Sequence, residues 1–340
     1  MIIQKYKTAI LALGFLVAGN LFSQDIHFSQ YGFSPINTNP ATTGFFDGDF
    51  RAGGIYRTQW WNVPVPYNTV SIFADTRMGQ KKMKSDRLGL GFLFNNDVSG
   101  DSKYGTTQLY LPVSFVKKLN SDSTFIGSIA LQPGISATGF KTNALKYETQ
   151  YNGTGYDEAL PSLENYNVTN QTKFDLNFGA FTQYNFIQRG YVQTGLSMYH
   201  LLPQKVSYFN NNSIKLDPKT NIYLLANYPV AGMLDAQVEV LYSRQGKFQE
   251  LVAGANLKYI FETKHYQTIF AGAYLRPKDA FIARIGMEYK NWKYSMAYDV
   301  NTSGFKAATN KKGALEFALI YIMKKQIPFV AKKRVCPIYM

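Results

Sequence analysis

The chain has 340 residues, 46% of them hydrophobic and 16% aromatic, with a formal net charge of +14 and one cysteine. The length suits one large domain or two smaller ones, and a lone cysteine excludes both an intrachain disulfide framework and a cysteine-built zinc site. After the first residues, no apolar run approaches the roughly 20 residues that a transmembrane helix needs.

Residues 1–23 read as a secretory signal. Lys5 and Lys7 give a positive start, Ala9–Ala18 is an apolar stretch too short to span a bilayer, and Ser23 is the expected cleavage position, with a bulky Leu21 ahead of it. No cysteine lies near the cut, so no lipoprotein anchor is expected. Its removal takes away two lysines and lowers the formal charge to +12. The stretch Gln30–Trp61 then holds the densest turn chemistry in the chain, and its turn residues fall within the segment 24–49. Ser34-Pro35, Asn39-Pro40-Ala41 and Gly44 combine fixed φ, extended residues before proline and a residue free to take φ > 0. Such a run predicts a compact irregular module, either a plug or a docking segment at the periplasmic mouth.

From Phe50 a period-two apolar pattern begins and recurs almost to the C-terminus. Leu88, Leu90, Phe92 and Phe94 share a face opposite Gly89 and Gly91; Phe174, Leu176, Phe178, Ala180 and Tyr184 oppose Asp175, Asn177, Gly179, Gln183 and Asn185. Trp292, Tyr294, Met296 and Tyr298 oppose Lys293, Ser295, Ala297 and Asp299, and Leu315, Phe317, Leu319 and Tyr321 oppose Glu316 and Ala318. A soluble β-sandwich would explain the alternation, but less easily the number of strands and aromatics. The pattern predicts an all-β protein, a transmembrane antiparallel β-barrel of about 14 strands across residues 50–322. The strands fall near 50–57, 68–77, 87–96, 105–117, 124–139, 173–186, 191–200, 219–229, 234–243, 250–261, 267–276, 280–289, 292–299 and 313–322. Pro112 interrupts the fourth and removes a ladder bond. Charge at a midplane lipid position costs about 2–4 kcal/mol, so the charged face must line the lumen.

Barrels of this kind have short periplasmic turns and longer outer loops. Starting from the periplasm, the outer connections are 58–67, 97–104, 140–172, 201–218, 244–249, 277–279 and 300–312, so the two longest both fall outside. The periplasmic turns are 78–86, 118–123, 187–190, 230–233, 262–266 and 290–291. Basic residues gather on that side, at Lys81, Lys82, Lys84, Lys117 and Lys118. The tail 323–340 adds Lys324, Lys325, Lys332, Lys333 and Arg334. They are either solvated charge at the lipid interface or a dock for an acidic periplasmic partner. Nucleic acid is not an expected partner of an exported chain without a reading motif. Pro328 and Pro337 forbid continuing the last strand, and Cys336 is either an inert thiol or part of a docking tail.

Catalytic chemistry finds little footing. His27, His200 and His265 are scattered, and Asp97, Gly100, Asp101 and Ser102 read as a polar turn rather than a calcium loop. Asp75 with Arg77, and Glu288 with Lys293, read as ion pairs inside the barrel rather than acid–base dyads. No enzyme activity, cofactor or metal is expected.

The order Gln24-Asp-x-His-Phe-Ser-Gln-Tyr31, Ser34-Pro35, Asn39-Pro40-Ala41, Gly44, then Tyr56-Arg57-x-Gln59-Trp60 and a Cys336-Pro337 ending, resembles the PorP/SprF family. That resemblance implies an outer-membrane component of type IX secretion and gliding machinery that helps translocate or anchor secreted surface proteins such as adhesins. It also implies contacts with periplasmic secretion components and a peptidoglycan-associated protein, besides outer-membrane lipid. The residues it marks for partner binding are Gln30, Tyr31, Ser34, Pro35, Asn39, Pro40, Ala41 and Gly44, then Arg57, Gln59 and Trp60, then Cys336 and Pro337. Adjacent Trp60 and Trp61 are either an interfacial belt or a contact surface. The alternative is a fourteen-stranded channel for small hydrophobic substrates, which also carries an Asn-Pro-Ala turn but needs a continuous apolar lumen.

Overall fold

The computed structural model describes residues 25–61, 65–79, 86–166, 168–209, 214–261, 267–304 and 309–324. The signal segment, Lys81, Lys82, Lys84, His265 and the tail from Lys325, including Cys336 and Pro337, lie outside them. Among the described residues the strands are β1 (Phe50–Gln59), β2 (Tyr67–Met78), β3 (Arg87–Ser99), β4 (Tyr104–Tyr110), β5 (Val113–Lys118), β6 (Phe125–Gly139), β7 (Asn170–Ile187), β8 (Gly190–Tyr199), β9 (Lys219–Ala231), β10 (Leu234–Gln245), β11 (Phe248–Phe261), β12 (Gln267–Arg276), β13 (Ala280–Tyr289), β14 (Trp292–Asn301) and β15 (Lys312–Met323). Every neighbour is antiparallel, and β1 pairs with both β2 and β15, so the sheet closes.

β4 and β5 are two halves of one stave, since both lie between β3 and β6. The barrel therefore has fourteen staves. The break falls at Leu111-Pro112, where proline has no N–H to give the ladder. Gly91 N–H still donates to the Pro112 carbonyl (2.9 Å) and Leu111 N–H to Pro133 (2.9 Å). Register is unshifted across the gap, because Leu93 faces Tyr110 before it and Leu90 faces Val113 after it.

The two faces divide as a bilayer demands. Ile72, Leu131, Leu257, Ile285 and Phe317 stand about half exposed on the outside, while Ser71, Gln132, Asp175, Asn177 and Glu316 are buried within. At the end carrying the short turns, Phe186 stacks near Tyr228 (6.3 Å) and Trp292 lies 4.7 Å from Tyr321, an aromatic girdle at one interface. Trp60 against Tyr67 (5.1 Å) and Trp61 against Tyr298 (5.8 Å) lie at the opposite end. There the long connections 140–169 and 200–218 meet through rings, with Phe140 4.9 Å from Tyr208 and Tyr166 5.2 Å from Phe209.

Candidate functional site

The lumen is occupied by the chain's own residues 25–49. Asp25 N–H donates to Gln245 (3.0 Å), the last residue of β10, and the Asp25 carboxylate lies 3.6 Å from Lys219, the first of β9. At the other extreme, Asp49 N–H donates to Met323 (2.8 Å), the last residue of β15. The segment thus runs the length of the barrel, from the long-loop end to the short-turn end, before β1 begins.

Its course reflects its turn chemistry. Pro35 opens a one-turn helix, Pro35–Thr38, and Pro40 a 3-10 turn, Pro40–Thr42, both using proline where no N–H is missed. Between them Asn39 accepts from Ala41 N–H (2.9 Å) and donates its amide to the carbonyls of Ala180 (2.9 Å) and Leu196 (3.2 Å). It reaches them only because Gly179 presents no side chain: a Cβ there would stand 2.2 Å from the Asn39 oxygen. Ser34 takes the Asn37 amide (2.7 Å), and Asn37 also reaches Ser71 of β2 (2.7 Å). Ser128 bonds the Ala41 carbonyl (2.8 Å), and Ser114 bonds that of Thr43 (2.6 Å). Gly44, at φ 68°, gives its N–H to Asp75 (2.7 Å) while its Cα side abuts Gly89. The apolar residues are packed to match: Tyr31 sits with Phe181, Tyr223 and Tyr274, and Phe33 meets Phe270 (5.9 Å).

The strongest attachment lies at the closing seam. Arg57 of β1 and Glu316 of β15 are register partners and pair at 2.5 Å. The same carboxylate accepts the N–H groups of Ser29 (2.7 Å) and Gln30 (2.9 Å), and Gln30 also takes a hydrogen bond from Ser295. Ser29 Oγ donates to Asp299 (2.7 Å) and accepts from Arg57 (2.8 Å) and Arg276 (2.7 Å). Glu316 and Asp299 are almost fully buried. A buried, multiply bonded pair of this kind costs about 3–5 kcal/mol when one partner is removed.

Two further clusters tie the segment or line the space beside it. Arg284 pairs with Glu239 (2.6 Å), which stands behind Gly32. His200, just past β8, lies between Asp175 (2.8 Å) and Asp25 (3.4 Å). Burial opposes the charge on His200, but the two carboxylates overcome it and push its pKa up to about 9. Burial likewise opposes the Asp25 carboxylate, yet Lys219 and His200 hold its pKa well below the usual range. Toward the short turns, against β10–β14, the segment leaves a cavity of about 700 Å³.

Of the residues marked in the sequence, Gln30, Tyr31, Ser34, Pro35, Asn39, Pro40, Ala41 and Gly44 are all in this lumen segment, and Arg57 meets it. Gln59 and Trp60 sit at the long-loop end, where Gln59 accepts from Arg57 (3.5 Å) and Trp60 N–H bonds Gly313 (2.8 Å). One expected ion pair is corrected. Asp75 pairs with Arg51 (2.8 Å), not Arg77, because Arg51 stands directly across the β1–β2 ladder whereas Arg77 is two residues along the same strand. Arg77 turns to Asp49 (3.5 Å). Glu288 and Lys293 do pair, at 3.0 Å. Asp97 lies in β3, accepting from Thr69 (2.5 Å), rather than in a loop. Sequence reading passed over Glu316, Asp299, Arg276, Glu239 and Gly179 as site residues; the available signal was a charged or side-chain-free position on the inward face of a strand.

The family model for type IX secretion system membrane protein PorP/SprF matches residues 20–321. The chain belongs to the PorP/SprF family. No curated protein matches it in sequence. Among solved structures, this PorP/SprF chain is similar to the "TodX monoaromatic hydrocarbon channel deltaS2 mutant", with TM-score 0.55, 8% identity, and coverage of 87% of this chain and 95% of that one. A Pseudomonas aeruginosa FadL homologue gives 0.51 at 10% identity, covering 89% and 95%. The P. putida toluene transporter TodX gives 0.50 at 10% identity, covering 85% and 94%. At such identities the likeness is one of fold. A closed barrel with an apolar outer face, in a type IX secretion membrane family, is an outer-membrane protein.

Proposed function

We propose that this PorP/SprF member is a non-catalytic anchor in the outer membrane that helps translocate or hold secreted surface proteins. Residues 25–49 act as its fixed plug. The observation carrying this reading is the Glu316 seam: one buried carboxylate holds the first strand, the last strand and the plug backbone together. A lumen bonded in this way suits a rigid support. The long-loop end, taken as the outer face, would hold the cargo or adhesin; the short-turn end would meet periplasmic secretion components and a peptidoglycan-associated protein. A hydrocarbon channel needs a continuous apolar path, and the wall residues that hold the plug are Asp, Glu, Arg, Asn and Ser.

The test is deletion of Gln30–Gly44, with surface labelling of the secreted protein and affinity purification of the barrel from envelopes. Barrel insertion with loss of display and of co-purifying periplasmic proteins is expected. Normal display in that deletion would sink the plug's assigned role.

A further inference from the structure

Six cationic side chains line the cavity beneath the plug: Arg51, Lys258, Arg284, Lys290, Lys293 and Lys324. Four have carboxylate partners, namely Asp75, Glu239, Glu288 and Asp47. Lys258 and Lys290 form no ion pair or hydrogen bond among the described residues; Lys290 lies only over the ring of Tyr289 (5.1 Å).

Lys258 is the telling member. It points inward from β11, in register with Asp235 on one side and Phe270 on the other. Asp235 is already engaged, 3.3 Å from Arg189 and accepting from Asn227 (3.1 Å), and Phe270 offers no charge. The carboxylates that attract it, Glu288 and Glu239, are already paired with Lys293 and Arg284, so a half-buried ammonium here has no carboxylate to itself, and a further anion would offset its burial. The same cavity is walled by Phe45, Phe270 and Trp292 and bears the buried Tyr31, whose hydroxyl has no hydrogen-bond partner among the described residues. Its volume is within the roughly 300–1,000 Å³ of ligand sites. That is more room than a lone small anion uses.

We propose that this cavity binds a carboxylate carried on an extended peptide with apolar side chains, entering from the short-turn end, with Lys258 as the inner ion-pair partner and Lys290 at the rim. The charge balance favours an acidic ligand, and the aromatic walls favour a peptide over a free anion. This site deepens the periplasmic-partner reading by giving it a place and a chemistry, while peptide binding itself needs no other component of the machine.

The experiment uses the full barrel in a non-ionic detergent and a short fluorescein-labelled peptide alternating glutamate and phenylalanine, monitored by anisotropy. The lysine–phenylalanine counterpart, inorganic phosphate and laurate serve as comparisons. The acidic peptide should bind, weaken with added salt, and lose about tenfold or more in affinity in the Lys258→Gln, Lys290→Gln double variant. Lys278→Gln, at the far end, should leave binding unchanged. Folding of each variant is checked by the heat-modifiable gel shift, and Lys290→Gln alone, on an exposed turn, supplies a smaller loss should Lys258→Gln fail to fold. Equal binding of the basic peptide, unchanged affinity in the variants, or binding of phosphate or laurate but not peptide would each overturn the proposal. Those outcomes leave cargo display untouched, so they are separable from failure of the anchoring role.

Discussion

The lumen segment and the long-loop end are both irregular backbone, and they are stabilised in opposite ways. Residues 25–49 are gripped by charged groups and carbonyls from strands around the barrel, and most of their side chains are buried. The connections 140–169 and, beyond His200, 201–218 hold themselves mainly by ring contacts and short local bonds, such as Gln150 to the Leu160 carbonyl (3.0 Å), and leave Leu163 78% exposed. Irregular backbone buried inside a barrel needs its N–H and C=O groups answered by the wall or by its own turns. Irregular chain outside does not. The first region is thereby committed to one conformation, whereas the second is left with surface to spend on partners.

The contrast breaks most readily at the seam. Replacing Glu316 by Ala strips the acceptor from Arg57, Ser29 and Gln30 and should cost about 3–5 kcal/mol, read as a lowered urea midpoint in detergent. A loss no greater than that of Lys311→Ala, on an exposed turn, would mean the seam is not what holds the segment.

Next comes His200. Its folded pKa, near 9, is raised above the ordinary 6.5. Its contribution is therefore complete below about 6.5 and fades as pH climbs through 9, a difference of roughly 3 kcal/mol at most. His200→Gln should flatten the stability profile between pH 6 and 10. An unchanged slope would mean that the Asp25–His200–Asp175 contact contributes nothing to holding the segment.

Gly179→Ala should cost about 1–3 kcal/mol by forcing Asn39 off its two carbonyls. Combined with Asn39→Ala, the effect should shrink, since the nearest clash partner is gone while the Ala41 nitrogen (2.8 Å) and Pro40 (3.0 Å) remain; full additivity would place the damage elsewhere. The smallest effect belongs to the loops. Phe209→Ser should change stability by no more than about 0.5 kcal/mol yet lower cargo display, and a mutant that displays cargo normally would argue for another contact face.

Much of the barrel is legible in the sequence because alternation is local: fourteen amphipathic runs, and Pro112 as the weak point in one of them, need no tertiary knowledge. β7 begins three residues earlier than the apolar run suggests, at Asn170, since its first residues are polar and carry no pattern. Function-bearing contacts are harder. Glu316 meets Ser29 across 287 residues, and nothing in a single strand says which inward acid faces the seam. Asp75 illustrates the limit well. Its neighbour in sequence is the wrong partner, and only the register of β1 against β2 supplies the right one. Asn39-Pro40 is visible as a turn, but its glycine counterpart on β7 is visible only as a gap in a pattern.

Because the segment enters at one mouth and feeds the first strand at the other, the closed wall encircles the chain's own leading end. The molecule is in effect a threaded ring. Anything fused ahead of Asp25 emerges at the long-loop opening, so affinity handles and fluorescent reporters meant for the other face belong elsewhere on the chain.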